Sequence, residues 1–85
     1  MLDKDILLNF RSISMPDGHA GAEVKYIAAD RKVLNTFYCT QERKKLFRKK
    51  FETTTDVEQL SIPDYIQTEE ELRDYVQKYN PFWLR

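Results

Sequence analysis

The chain has 85 residues, a length that supports one domain with one hydrophobic core and excludes a second. Hydrophobic residues make up 41% of the sequence and charged residues 33%, which is typical of a folded globular domain and excludes a disordered or collagen-like chain. Fourteen basic residues balance fourteen acidic ones, so the zero net charge excludes a whole-molecule field that would attract nucleic acid or an acidic membrane.

The cysteine content and the N-terminal residues predict a reducing, cytoplasmic setting. Cys39 is the single cysteine, so it cannot form an intramolecular disulfide, whereas secreted domains of this size usually depend on several. Residues 6–8 form an apolar run that is too short for a signal peptide or a membrane span. We therefore expect a cytoplasmic protein that makes no membrane contact.

Three segments in the first half of the chain show the alternation of half-buried strands. They cover residues 6–14, 22–28 and 33–39, and the last is rich in β-branched and aromatic residues. A loop over residues 15–21, which contains a Pro-Asp-Gly sequence, is expected between the first two. The pattern predicts a three-stranded antiparallel meander.

The first strand is expected to be half-buried in a regular way. Ile6, Leu8 and Phe10 share one side, and Asn9 and Arg11 share the other. This parity predicts that Phe10 faces the core and that the two polar residues face solvent.

A helix is predicted over residues 41–52. Thr40 is a suitable N-cap, Glu42 lies near the positive end of the helix dipole, and Lys49 and Lys50 lie near the negative end. Good helix formers occupy the segment throughout.

The last helix has the clearest signals in the sequence. Thr68 and Glu71 form a capping box, and the chain breaks the helix at Asn80 and Pro81. The apolar stripe of this helix comprises Leu72, Tyr75, Val76 and Tyr79.

The predicted fold is a single α+β domain over residues 1–85. Both helices pack on one face of a small antiparallel sheet. The Thr-rich segment after the first helix leaves two alternatives open, a fourth strand around residues 57–62 or an irregular connection that Pro63 interrupts.

The predicted first helix carries six cations and no acid between residues 43 and 50. Like charges recur at i, i+4 on this helix, which is locally unfavourable and indicates an anion nearby. The alternatives are an acidic protein surface, a nucleic-acid backbone, compensation by the acidic segment 69–74 of the same chain, and a face that is simply solvated. The predicted contact residues of this basic helix are Arg43, Lys44, Lys45, Arg48 and Lys49.

A second contact surface is predicted at the aromatic C-terminus, from Phe82, Trp83 and Arg85. Aromatic and Arg side chains dominate interface hot spots. The alternative is that this segment packs against the protein's own core, which a small domain has reason to do.

Catalytic and metal-binding patterns are weak in this sequence. His19 and Cys39 could form a nucleophilic pair, but no third group is evident to orient it, and one His with one Cys gives no metal-ligand spacing. Residues 18–21 fit the GxxG form of KH domains, but they join two predicted strands and not two helices. We expect no enzymatic activity, no cofactor and no metal.

These observations favour a small interaction or regulatory module that binds a protein partner with an acidic surface. The alternative is a DNA- or RNA-binding protein that uses the basic helix on phosphates. Self-association through an edge strand, residues 6–14 or 33–39, is left open by the sequence.

Overall fold

The alternating segments of the first half form an antiparallel sheet in which neighbours in sequence are neighbours in space. The computed structural model of the chain describes residues 2–45 and 48–85, with the backbone alone for residues 43–45 and 48–50. The described strands are β1 (Ile6–Met15), β2 (Gly18–Ile27), β3 (Lys32–Lys45) and β4 (Arg48–Ser61), in that order across the sheet. The predicted meander is confirmed, and residues 57–61 belong to a fourth strand.

The turn between β1 and β2 is tighter than predicted. Only Pro16 and Asp17 separate the two strands, so most of the expected loop is strand. Gly18 follows with a φ of 155°, and a Cβ there would overlap the main-chain carbonyl of Thr40. A glycine is therefore required where β2 leaves the turn.

The helix predicted over residues 41–52 is wrong. Residues 41–45 complete β3 and residues 48–52 begin β4, while Leu46 and Phe47 lie outside the described residues. The pairing of β3 with β4 continues from Lys32 opposite Ser61 to Lys45 opposite Arg48. This long ladder outweighs the local helix preference, since tertiary pairing routinely overrides intrinsic propensity.

The last helix is confirmed as α1 (Glu69–Tyr79), the one α-helix in the described part of the chain. The Thr68 hydroxyl accepts a hydrogen bond from the main-chain N–H of Glu71 at 3.2 Å, as the capping box predicts. A short 3₁₀ helix (Pro81–Leu84) follows, and the Asn80 side chain accepts from its Phe82 N–H at 3.0 Å.

The core lies between α1 and one face of the sheet, which we call the covered face. Val24, Tyr26 and Val33 line this face and are almost fully buried beneath Leu72 and Val76 of α1. The opposite side of the sheet is called the open face. The other buried members of the core cluster are Leu2, Leu8, Ile62, Ile66 and Trp83.

A β-bulge at Leu8 changes the parity of β1. Leu7 pairs with Lys25 and Asn9 with Val24, so Leu8 is an extra residue and Asn9 joins it on the covered side. Phe10 consequently lies on the open face, 55% exposed, contrary to the predicted alternation.

The C-terminal segment is attached to β1 through the residues that the bulge turns toward it. Asn9 donates to the main-chain carbonyls of Trp83 and Arg85, both at 2.9 Å. Arg11 donates to the carbonyl of Phe82 at 3.1 Å. These contacts hold the 3₁₀ helix on the first strand.

Candidate binding surfaces

The cations of the predicted first helix lie at one end of the β3–β4 hairpin. Arg43 pairs with Lys50, Lys44 with Lys49, and Lys45 with Arg48, so every described pair at this end is cation against cation. Directly opposite residues in an antiparallel pair are about 4.5–5.5 Å apart at Cα. We call residues 43–45 and 48–50 the basic end. The five predicted contact residues are thus brought together, on a hairpin and not on a helix.

The basic end projects beyond the other two strands. Gln41 pairs with Gly18 at the β1–β2 turn, and the N–H of Glu42 donates to the carbonyl of Asp17 at 2.6 Å. Past that contact, β3 and β4 pair with each other among the described strands. The molecule is correspondingly elongated, with extents of 56 × 23 × 17 Å.

Acidic residues of α1 are far from the basic end. The part of β3 that α1 covers is centred near Val33, ten residues from Arg43, which corresponds to about 33 Å along the strand. That separation exceeds the Debye length of ~8 Å at physiological salt. Solvent ions therefore screen the α1 carboxylates from the cations of the basic end, which argues against compensation by the helix acids, one of the alternatives from the sequence.

The open face exposes apolar side chains. Phe10 and Val57 lie in one row across the four strands, with Glu23 and Thr36 between them. Phe10 is 55% exposed and Val57 50%. Phe51, opposite Glu42 and adjoining the basic end, lies on the same face and is 63% exposed. Polar residues separate these side chains from one another, so Phe51 is the exposed apolar group that adjoins the cations.

The predicted C-terminal surface is only partly available. Trp83 is 2% exposed in the core, where its ring meets Tyr79 edge-on at a centroid distance of 5.3 Å. Phe82 stays on the surface, and the Arg85 guanidinium lies 5.0 Å from the centre of its ring. Of the three predicted contact residues, Trp83 therefore packs against the protein's own core.

A cleft of about 510 Å³ lies between α1 and the segment that precedes it. Tyr65, Tyr75 and Tyr79 supply its aromatic wall. The amine of Lys78, also on this wall, is 3.0 Å from a carboxylate oxygen of Asp74, so the charges at the rim form an ion pair.

The nucleophilic pair considered from the sequence is not formed. His19 lies opposite Thr40 and contacts the Tyr38 ring edge-on at 5.9 Å, whereas Cys39 lies opposite Ala20. Because neighbours along a strand point to opposite faces, His19 and Cys39 lie on different sides of the sheet. Residues 18–21 are part of β2, so the GxxG match is not a loop.

The open-face residues Phe10, Phe51 and Val57 were not predicted as contact residues. Their signal was obscured because the sequence around Phe51 favoured a helix, and because the bulge at Leu8 reverses the alternation of β1. Val57 alone carried a usable signal, since it follows three threonines with strand preference.

Comparison of the chain with protein family models, with curated proteins and with solved structures finds no match. None of the helices in the described part of the chain has the length and apolar character to cross a bilayer. The described residues also contain no group of three or more His, Cys, Asp or Glu side chains placed to hold a metal ion.

Proposed function

We propose that this protein is a small non-enzymatic interaction module that binds a protein partner with an acidic surface. The observation that carries the proposal is the basic end, where cations of β3 lie opposite cations of β4 at the projecting tip of a hairpin. Like charges directly opposite each other destabilise an antiparallel pair, so an anionic partner would stabilise this arrangement on binding. The single cysteine supports a reducing, cytoplasmic setting for this interaction.

The apolar groups beside the basic end favour a protein as the partner. Phe51 adjoins the cations and is 63% exposed, and Val57 and Phe10 are further exposed apolar side chains on the same open face, separated by polar residues. Protein interfaces combine a desolvated aromatic centre with a charged rim, and complementary charge guides the encounter. Asp56 and Glu58, exposed further along β4, would repel a phosphate backbone that followed the strand.

Nucleic-acid binding is the second candidate, and one observation favours it. The basic end is a two-stranded ribbon with cations on both strands, and the major groove of B-DNA admits a ribbon of this kind. Such a contact would be limited to the tip, because acids follow the cations on each strand.

A charge-reversal variant with a matched control tests the proposal. Lys44→Glu with Lys45→Glu removes two cations from the basic end. Lys4→Glu with Lys78→Glu makes the same change of charge at exposed positions elsewhere. A photo-crosslinking residue in place of Phe51, introduced into each variant in cells that produce it, should yield a protein adduct of defined mass. We expect the first variant to lose this adduct and the second to retain it. An adduct with a protein other than a second copy of this chain that survives the reversal at the basic end contradicts the proposal.

Oligonucleotide binding by the unmodified chain and the same two variants tests the nucleic-acid alternative. The anisotropy of labelled duplex and single-stranded oligonucleotides is titrated at low and at near-physiological salt. Absence of binding in both conditions is expected for a protein-binding module. Binding that weakens steeply with salt and disappears in the Lys44 and Lys45 variant would replace the protein partner with a nucleic acid.

A further inference from the structure

The two edges of the sheet differ in how well they are protected against pairing. β1 carries the bulge at Leu8, and its Asn9 and Arg11 side chains bind the 3₁₀ helix. β4 is a 14-residue edge strand in unbroken register with β3 over its described length, and its residues 53–59 are exposed. A long, regular and exposed edge presents free main-chain donors and acceptors for another strand. The structure therefore corrects the prediction that residues 33–39 form an edge, since β3 is interior.

Basic residues lie near the N-terminal end of β4 and acidic residues toward its C-terminal end, an order that is complementary to an antiparallel copy of the same strand. Arg48 and Lys50 lie near its first end, and Asp56 and Glu58 lie toward its last. All four positions share the covered side of the strand, because even-numbered residues of β4 pair with odd-numbered residues of β3 such as Val33. An antiparallel copy of the same strand would place each basic position opposite an acidic one.

We propose that β4 pairs antiparallel with β4 of a second copy of this chain, about a two-fold axis at Thr53. In this register Arg48 lies opposite Glu58 of the second copy, and Lys50 lies opposite Asp56. The two-fold axis repeats both pairs, and opposite-charge pairs across neighbouring strands stabilise a sheet. The two four-stranded sheets become one continuous sheet.

Each neighbouring register keeps one opposite-charge pair but adds a like-charge pair. An axis at Thr54 would place Lys50 opposite Glu58, but Glu52 opposite Asp56 and Arg48 opposite Leu60. An axis at Glu52 would place Arg48 opposite Asp56, but Lys50 opposite Thr54 and Glu52 opposite itself. Registers centred between two residues would pair side chains on opposite faces and are excluded by the alternation of the strand. The charge pattern therefore selects Thr53.

The proposed dimer is an association separate from the binding of an acidic protein partner. Its axis is perpendicular to the sheet, so both copies of α1 lie on the same side and the two open faces form one surface. The two basic ends lie at opposite ends of the β4 pair. Arg48 and Lys50 of each basic end enter the dimer contact, whereas Arg43, Lys44 and Lys45 stay outside it and remain available to an acidic partner.

Mass measurements on two complementary variants test the pairing. Sedimentation equilibrium of the unmodified chain should give twice the 10.2 kDa of one chain. Asp56→Lys with Glu58→Lys, and separately Arg48→Glu with Lys50→Glu, make every charged pair of the interface repulsive, and each variant alone should be monomeric. An equimolar mixture restores all opposite-charge pairs and should form a one-to-one heterodimer. An unmodified chain that is monomeric, an acid-reversed variant that stays dimeric, or a mixture that remains monomeric overturns the proposal.

A disulfide test fixes the register independently. In a Cys39→Ser background, Thr53→Cys places a thiol on the axis and should give a covalent dimer on mild oxidation. Thr55→Cys, on the same exposed face of β4, would place its two thiols about 13 Å apart along the strands and should remain uncrosslinked. Crosslinking through Thr55→Cys that equals or exceeds that through Thr53→Cys would contradict this register. The acid-reversed variant leaves the basic end intact, so loss of the dimer and loss of an acidic partner are separate results.

Discussion

The side-chain amide of Asn9 donates a hydrogen bond to the main-chain carbonyl of Trp83 over 2.9 Å, across a separation of 74 residues in the chain. The same nitrogen donates to the carbonyl of Arg85. The bulge at Leu8 makes both bonds available, because it places Asn9 on the covered side of β1. One irregular residue in the first strand therefore determines where the last residues of the chain lie.

Asn9→Ala should loosen the C-terminal segment. The substitution removes both hydrogen bonds and leaves the part-buried Trp83 carbonyl without its donor, so we expect the free energy of unfolding to fall by about 1–3 kcal/mol. Urea unfolding followed by the fluorescence of the single tryptophan measures the change. Ser12→Ala, on the exposed open side of the same strand, is the control. Equal effects of the two substitutions would contradict a stabilising role for the hydrogen bonds from Asn9 to the C-terminal segment.

Arg73→Met should cost more stability than Lys78→Met. Both cations pair with an acid four residues earlier on α1, at 3.1 and 3.0 Å. Arg73 also donates to the main-chain carbonyl of Leu8 at 3.1 Å, which anchors the helix at the bulge. We expect a loss of about 1–2 kcal/mol for Arg73→Met and under about 0.5 kcal/mol for Lys78→Met, since exposed ion pairs contribute little. Urea midpoints that shift equally would show that the bond to Leu8 contributes nothing.

Asn35→Leu should stabilise the protein. Asn35 is 1% exposed on the covered face, and neither its amide nitrogen nor its oxygen has a hydrogen-bond partner among the described residues. Replacing such a group with an apolar one of similar size removes a desolvation penalty, so we expect a gain of about 1–2 kcal/mol. Thermal unfolding gives the measurement, with Asn35→Asp as the opposite case, in which a buried charge should strongly destabilise. A lower melting temperature for Asn35→Leu would indicate that the amide is satisfied in solution.

Gly18→Ala should destabilise the hairpin of β1 and β2. Its φ of 155° is rare for a residue with a side chain, and a Cβ there would overlap the Thr40 carbonyl in β3. We expect a loss of about 1–3 kcal/mol, the usual cost of holding a residue with a side chain in a sparsely populated backbone conformation. His19→Ala, at the next and exposed position, should change the unfolding free energy by less than about 0.5 kcal/mol. Similar losses at the two positions would contradict the requirement for glycine.

Local patterns predicted those elements whose stability is local. The capping box at Thr68 and the stripe through Leu72 and Val76 predicted α1, and the alternation through Val24 and Tyr26 predicted β2. Residues 41–52 failed because their helix propensity and charge order are local, whereas the ladder between β3 and β4 depends on pairing between two halves of the same segment. Local propensity and charge order do not reveal which residues will pair across two strands.

The sequence predicted the basic end but not the orientation of the side chains in β1. The concentration of cations at Arg43 to Lys50 is a property of composition, so it survives the change from helix to hairpin. The orientation of Phe10 and Asn9 depends on a bulge, which shifts side chains between faces without changing the amino-acid pattern. The hydrogen bond from Asn9 to the main-chain carbonyl of Trp83 depends on the same bulge.

Because of the bulge, β1 can lose one residue, Leu8, without the change of side-chain orientation that a deletion causes in a regular strand. The partners of Leu7 and Asn9 are already consecutive along β2, so the ladder on either side of Leu8 is in phase. Deleting one residue from a regular strand turns over every side chain beyond the deletion. Deleting Leu8 would instead keep Phe10 and Arg11 on the faces that they now occupy. The loss would be confined to one apolar side chain of the core and the carbonyl that Arg73 binds.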